Sequence, residues 1–273
     1  MRIGITYSYL RPEEKMLKDA AKEKGEVVML HEDELRFPTR YDLDVVIVRN
    51  MGHYRALYTA KMFEAMGIPT VNSWRIILEA GDKILTSLIL HGKVDIPEWR
   101  VAMNEKSAMH AIKELGYPVI MKPITGSWGR LLSKINDRDS AEAVVELRRW
   151  MSNPLHHIYY IQKYVDKPGR DIRSYVINGE YITAIYRYSE HWITNTARGG
   201  RAEICNDEEV REISLKVWET FGDGALAIDI FESSEGLLVN EVNPGMEFKN
   251  VVRVTGADIP GKIVDYAVEV ARR

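Results

Sequence analysis

The stretch ALAIDIFESSEGLLVNEVNPGMEFKN, residues 225–250, reads as two β-strands joined at SSEG. AIDIF and LLVNEVN are apolar enough for a buried hairpin, yet they carry Asp229, Glu241 and Asn243 where a core strand stays apolar. A three-residue loop of Ser234, Glu235 and a left-handed Gly236 sets a register that places Asp229 directly opposite Glu241. Side chains alternate along a strand, so Asn243 shares the face of Glu241 and lies diagonal to Asp229. Two opposed carboxylates repel unless positive charge lies between them. An all-oxygen cluster of this kind suits Mg²⁺, which binds through one or two carboxylates and leaves its other positions to water and phosphates. The alternative is an exposed hairpin whose acids are screened by solvent.

Upstream, VIMKPITGSWGRLLSKI (119–135) puts Lys122 at the end of an apolar strand, followed by a loop containing Gly126, Ser127 and Gly129. Glycines let backbone N–H groups approach a phosphate, and a strand-end lysine adds fixed positive charge. There is no GxxxxGK[ST], which excludes a P-loop NTPase, and a protein kinase places its glycine loop before the lysine. IQKYVDKPGRDIRSYVI (161–177) then offers a hinge at Gln162, Lys163, Tyr164 and Val165, a Pro-Gly turn, and a strand bearing Asp171 and Arg173. Five arginines between 170 and 201 (Arg170, Arg173, Arg187, Arg198, Arg201) face three acids, a balance suited to phosphate and carboxylate groups. Arg170 is the one read most readily as a solvent-exposed strand residue. The seven histidines are scattered and read as structural or surface residues.

The first third alternates strand and helix: RIGITY (2–7), a helix over 12–25 closed by Gly25, EVVML (26–30), a strand over 42–50, a helix over 54–67 and a strand over 68–73. That pattern predicts a parallel, doubly wound sheet, and the absence of GxGxxG argues against dinucleotide binding. A broken helix follows over 74–92, with Ser73 as N-cap. The fold class expected is α/β, becoming α+β in the C-terminal half. The divisions expected are an N-terminal α/β domain with its linker helix (1–92), a central lobe (93–162) and a C-terminal lobe (163–273). A chain of 273 residues with 45% hydrophobic and 28% charged residues can bury cores of that number. A net charge of −3 argues against a nucleic-acid partner, the single Cys205 against a disulfide framework, and the lack of any long apolar run against a membrane span. A cytoplasmic setting is expected.

The lysine at a strand end, the glycine loop, the hinge, DIR, TNTARGG, IDI and VNEVN stand in the order and spacing of the ATP-grasp ligases. Within them the chain resembles the RimK-like branch, and within that branch the LysX/ArgX ligases, on the strength of NSW…DK, KPITGSWGRLL, YVDKPGRDIR and NPGMEFKN. The resemblance implies ATP and Mg²⁺, with Lys83 and Lys122 on the phosphates. The loop of Gly126, Ser127, Trp128, Gly129 and Arg130 would cover them, Gln162 to Val165 hold adenine, and Asp171 lie near the ribose. It further implies Asp229, Glu241 and Asn243 as metal ligands, and Arg173, Arg187, Asn195 and Arg198 as the groups stabilising phosphoryl transfer. Arg49, Asn50, Asn195, Arg198, Gly199, Gly245, Met246, Glu247 and Phe248 would bind the substrate. The implied partners are glutamate or α-aminoadipate and an acidic LysW-type carrier protein, in a homodimer or homotetramer. Arg130 departs from the GSxGxG pattern of RimK relatives, which weakens a glutamate-tailing activity; that activity, small-peptide ligation and a silent nucleotide-binding module are the competing readings.

Overall fold

The computed structural model describes residues 1–126, 128–194 and 201–273. Its N-terminal strands β1 (Arg2–Tyr7), β2 (Glu26–His31), β3 (Val45–Arg49) and β4 (Thr70–Val71) form one parallel sheet in the order β2-β1-β3-β4, as the alternation predicts. Helix α1 (Pro12–Lys22) ends three residues before Gly25. Gly25 serves a close approach instead: a Cβ there would lie 2.2 Å from the Met1 carbonyl oxygen. Helix α2 (His53–Ala65) connects β3 to β4.

The broken helix resolves into α3 (Trp74–Gly81) and α4 (Lys83–Leu90). Ser73 caps α3, and the Asp82 carboxylate caps α4 by accepting from the Ile84 and Leu85 N–H groups at 2.8 and 3.1 Å. A second, antiparallel sheet contains β5 (Trp99–Ala102), β6 (Val119–Lys122), β7 (Ser133–Ile135) and β8 (Tyr159–Lys163) in the order β5-β8-β6-β7. Helices α5 (Glu105–Leu115) and α6 (Arg138–Arg149) pack on it through Ala108, Ile112, Ala141 and Val145.

The third sheet is antiparallel, in the order β11-β10-β9-β12-β13: β9 (Arg170–Ile177), β10 (Glu180–Tyr188), β11 (Ala202–Ile204), β12 (Ala225–Ser233) and β13 (Gly236–Asn243). Strand alternation gives it two faces. Ile172, Val176, Leu226, Ile228 and Ile230 pack under α7 (Glu208–Phe221) together with Ile76, Ala80 and Leu90 of α3 and α4. Tyr175, Ile177, Ala225 and Ala227 join the core of the first sheet. The helices after β13, α8 (Lys249–Thr255) and α9 (Ile259–Val270), belong to that same core, which runs through Ile3, Ile5, Val45 and Val71. Two elements thus cross the lobes expected from sequence: α3–α4 pack on the third sheet, and α9 on the first. No helix among the described residues is long and apolar enough to cross a membrane.

Asn72 ties this junction. Its side-chain N–H donates to the Ala225 and Pro244 carbonyls at 2.8 and 2.6 Å, and its oxygen accepts from the Ala225 N–H at 2.7 Å. All three contacts are buried in whole or part, so truncation strands backbone groups at both ends of the hairpin. Asn72→Ala is expected to lower unfolding free energy by about 2–4 kcal/mol, read by chemical denaturation; a loss below about 0.5 kcal/mol would show that the clamp is dispensable.

Candidate active site

The hairpin's register at the carboxylates is the one expected, but it is reached differently. Ser233 pairs with Gly236, so the loop holds two residues, Ser234 and Glu235, and a bulge between Asp229/Glu241 and Ile230/Val239 leaves Asn240 as the extra residue. The shorter loop shifts the register by one and the bulge shifts it back, which restores Asp229 opposite Glu241. Asn240, absent from the sequence-based site, accepts a hydrogen bond from Lys122 Nζ at 2.7 Å.

Asp229 also faces Arg173 across β9, while Asp171 faces Arg187 between β9 and β10. Arg173 donates to both Asp229 oxygens at 2.7 Å, and Arg187 NH2 stands 3.0 Å from Oδ1 of the same carboxylate. Arg187 forks onto Asp171 as well, at 2.6 and 2.8 Å. Burial opposes the charged carboxylate of Asp229, but the adjacent Arg173 and Arg187 outweigh it and hold the pKa down at about 2. Burial likewise opposes the charge on Arg173, and Asp229 overcomes it, so that guanidinium stays protonated.

Asp171 lines the cleft, and its carboxylate accepts from Arg187 and from the Thr194 hydroxyl, so that it holds an arginine in place. Arg170 differs from its solvent-exposed reading: it forks onto Glu232 at 2.6 and 2.7 Å and packs over Tyr186. Lys167, not singled out in the sequence, lines the cleft and donates to Thr194 at 2.5 Å; burial lowers its pKa, with Asp171 opposing.

Lys83 opens α4, and its Nζ donates to the Gly126 carbonyl at 3.2 Å and to Glu241 at 3.3 Å. Lys122 ends β6 and is buried; desolvation pushes its ammonium down to about 7 against the attraction of Glu241. At the hinge the Lys163 and Tyr164 N–H groups bond the Glu98 and Pro118 carbonyls, and the Lys163 side chain reaches outward to Glu98. Gln162 is buried and lines the cleft beside Tyr164 and Val165. Lys134 lies 3.6 Å over the Tyr164 ring, and Arg130 4.7 Å over that of Trp128.

Lys122, Lys167, Asp171, Arg173, Arg187 and the hairpin acids line one cleft of about 790 Å³ between the three sheets, and Lys83 lines a small adjoining pocket that shares Gln162, Asn240 and Glu241 with it. At the other end of the cleft lies Arg49, buried, which donates to Glu14 at 3.1 Å and to the Met246 carbonyl at 2.9 Å and leaves NH2 without a partner among the described residues. Glu14 is desolvated, yet its hydrogen bond to Arg11 and the charge of Arg49 hold its pKa below the usual carboxylate range. Arg11 also reaches Glu247 at 3.1 Å. Gly245, Met246 and Glu247 line the cleft; the Met246 side chain also packs into the core, and that of Phe248 is buried there. Asn50 is occupied by Thr6 and Glu32. Ser127, Asn195, Arg198 and Gly199 lie outside the described residues.

Among the described residues no cluster of three His, Cys, Asp or Glu side chains could hold a metal. Asp229, Glu241 and the amide of Asn243 share one sheet face, and Asn243 Nδ2 is buried without a partner among the described residues. Two carboxylates and the amide oxygen of Asn243 are an all-oxygen set that fits a hard divalent cation, whereas the unpaired Nδ2 is a donor and takes no part in that fit.

Two antiparallel sheets that close on a cleft with a lysine from each side and an acid hairpin beneath define an ATP-grasp fold. The chain belongs to the RimK-like ATP-grasp family, whose domain model matches residues 80–267, while the LysX preATP-grasp domain matches 3–78. It is 37% identical to the α-aminoadipate–LysW ligase LysX of Sulfurisphaera tokodaii over 95% of each chain. It is 34% identical to the glutamate–LysW ligase ArgX of Sulfolobus acidocaldarius over 97% of this chain and 98% of that one. The fold is shared with the RimK-domain ATP-grasp protein of Sphaerobacter thermophilus (TM-score 0.79, 23% identity, covering 98% and 100% of the two chains). The D-alanine–D-alanine ligase of Bacillus anthracis solved with ATP also shares it (TM-score 0.74, 19% identity, 100% and 97%). The chain is an ATP-dependent ligase, of a family that uses ATP with a divalent cation.

Removing one member of a buried ion network leaves the others uncompensated. Asp229→Ala is therefore expected to cost about 3–5 kcal/mol in chemical denaturation, beyond any effect on activity. Because the folded pKa of Asp229 lies below its unfolded value, its contribution is present above about pH 4 and is lost as pH falls toward about 2. Wild-type stability should drop more steeply across that window than that of Asp229→Ala.

Proposed function

We propose that the protein joins the α-amino group of glutamate or α-aminoadipate to the side-chain carboxylate of the terminal glutamate of an acidic LysW-type carrier, using ATP and Mg²⁺. The observation that carries this reading is the match of nearly the whole chain, N-terminal lobe included, to ligases of both kinds. A RimK-type bS6 ligase matches over 75% of the chain at 31% identity, which supports glutamate tailing less.

A carboxylate at pH 7 is a poor electrophile and must first be phosphorylated. Lys83 and Lys122 stand where the phosphates would lie, and Arg173, Arg187 and Lys167 concentrate positive charge where the phosphoryl group would move. Held by Asp229, Glu241 and Asn243, Mg²⁺ would neutralise phosphate charge and align the transfer. Residues 162–165 are the place for adenine. Arg49, with its unpaired NH2, and Glu247, paired to Arg11, are suited to the carboxylate and ammonium of the amino acid. The amine then attacks the acyl phosphate.

The test is ADP release from ATP, Mg²⁺, carrier and each amino acid, with the carrier's mass gaining a single residue. No carrier-dependent ADP would overturn the reading, and a ladder of additions would favour tailing. The two amino acids differ by one methylene, worth about 1–3 kcal/mol, so their kcat/KM values are expected to differ by about 10–200-fold at most. A second measurement addresses Lys122. With its ammonium at about 7 in the free protein, nucleotide binding at pH 8 should take up a proton as the phosphates favour the charged form. Calorimetry in buffers of different ionisation enthalpy should detect that uptake, and Lys122→Met should abolish it.

A further inference from the structure

The cleft wall built by the N-terminal lobe carries a histidine that phosphoryl transfer does not use. His53 is the first residue of α2, follows the Arg49 and Asn50 segment directly, and lines the cleft beside Gly81. A Cβ at position 81 would lie 2.3 Å from His53 Nδ1 and 2.7 Å from Cε1, so the glycine makes room for the imidazole against the α3–α4 junction. That junction carries Asp82 and Lys83, which face the ring with opposite charges, and Tyr54 packs edge-on at 5.0 Å. His53 therefore lines the same cleft as Arg49 and adjoins the junction that carries Lys83.

Among the described residues neither ring nitrogen of His53 has a hydrogen-bond partner, and Nε2 is the one that does not abut Gly81. Burial lowers the pKa, as does the charge of Lys83, with Asp82 opposing; a helix N-terminus also disfavours the imidazolium. These influences favour the neutral ring, which is able to accept a proton. The acids of the cleft are not free to do so: Glu14 is held by Arg11 and Arg49, Asp171 by Arg187, Asp229 by Arg173, Glu241 by Lys83 and Glu247 by Arg11.

Taking the ligase reading as its basis, we propose that His53 is the proton acceptor for amide formation. Nε2 takes one proton from the bound ammonium, and the free amine so formed attacks the acyl carbon. The C–N bond forms, the C–O bond to the phosphoryl group breaks, and inorganic phosphate leaves with the bonding pair and takes up the second nitrogen proton. The imidazolium then returns its proton to solvent.

The experiment separates the two half-reactions. Hydroxylamine is unprotonated at pH 7.5 and intercepts an acyl phosphate as a hydroxamate without a base. His53→Ala should form hydroxamate from carrier, ATP and Mg²⁺ within about twofold of wild type, yet lose about 100-fold or more in kcat for amide formation with the amino acid. Added imidazole should restore part of that loss, and His53→Gln, which keeps bulk without a base, should stay impaired and unrescued. Retention of kcat within about threefold would overturn the proposal, as would equal loss of hydroxamate and amide in a folded His53→Gln variant. Wild-type protein that makes no hydroxamate would overturn the ligase reading itself.

Discussion

A carboxylate buried between two guanidinium groups organises the catalytic half of this molecule. Asp229 sits on a central strand with Arg173 forked onto it and Arg187 against one oxygen. Charges this deep are tolerated only when paired and hydrogen-bonded. The pairing therefore constrains three strands at once, since β9, β10 and β12 must all keep register for Asp171, Arg173, Arg187 and Asp229 to share a face. A slip of one residue would turn these side chains into the apolar layer under α7.

From that center, positive and negative partners alternate outward and connect the lobes. Glu241 meets Lys83 from α4, Asn240 meets Lys122 from the second sheet, and Asp171 reaches Lys167 through Thr194. At the far end Glu14 holds Arg11 and Arg49, and Arg49 holds the Met246 carbonyl just beyond the hairpin. The cleft is thus lined by residues already restrained by one another, which suits chemistry that depends on positioned charge more than on a nucleophilic side chain.

Much of this was legible in the sequence where local patterns act alone. The parallel N-terminal sheet followed from strand–helix alternation, Lys122 at a strand end from an apolar run, and the convergence of Asp229 with Glu241 from a short turn. That last inference held because a two-residue loop and a bulge at Asn240 offset each other. Bulges, and the packing of α9 on the first sheet, depend on partners distant in the chain and leave no local signal. Asn240 and Lys167 were missed for that reason, and so was the position of His53 in the cleft wall. For His53 a trace was available in Gly81, which interrupts an otherwise good helix, but its meaning depends on a ring from another helix.

The sequence by itself determined the class of chemistry, because strand periodicity and the order of lysine, glycine loop, hinge and acid hairpin are properties of the chain that survive without coordinates. Only the tertiary structure decided the roles of individual charges. Whether a carboxylate meets a metal, a ribose or an arginine is a matter of which side chains lie within hydrogen-bonding reach in a desolvated cleft. For Asp171 and Arg187, or Glu14 and Arg49, that proximity is created by the packing of elements far apart in sequence.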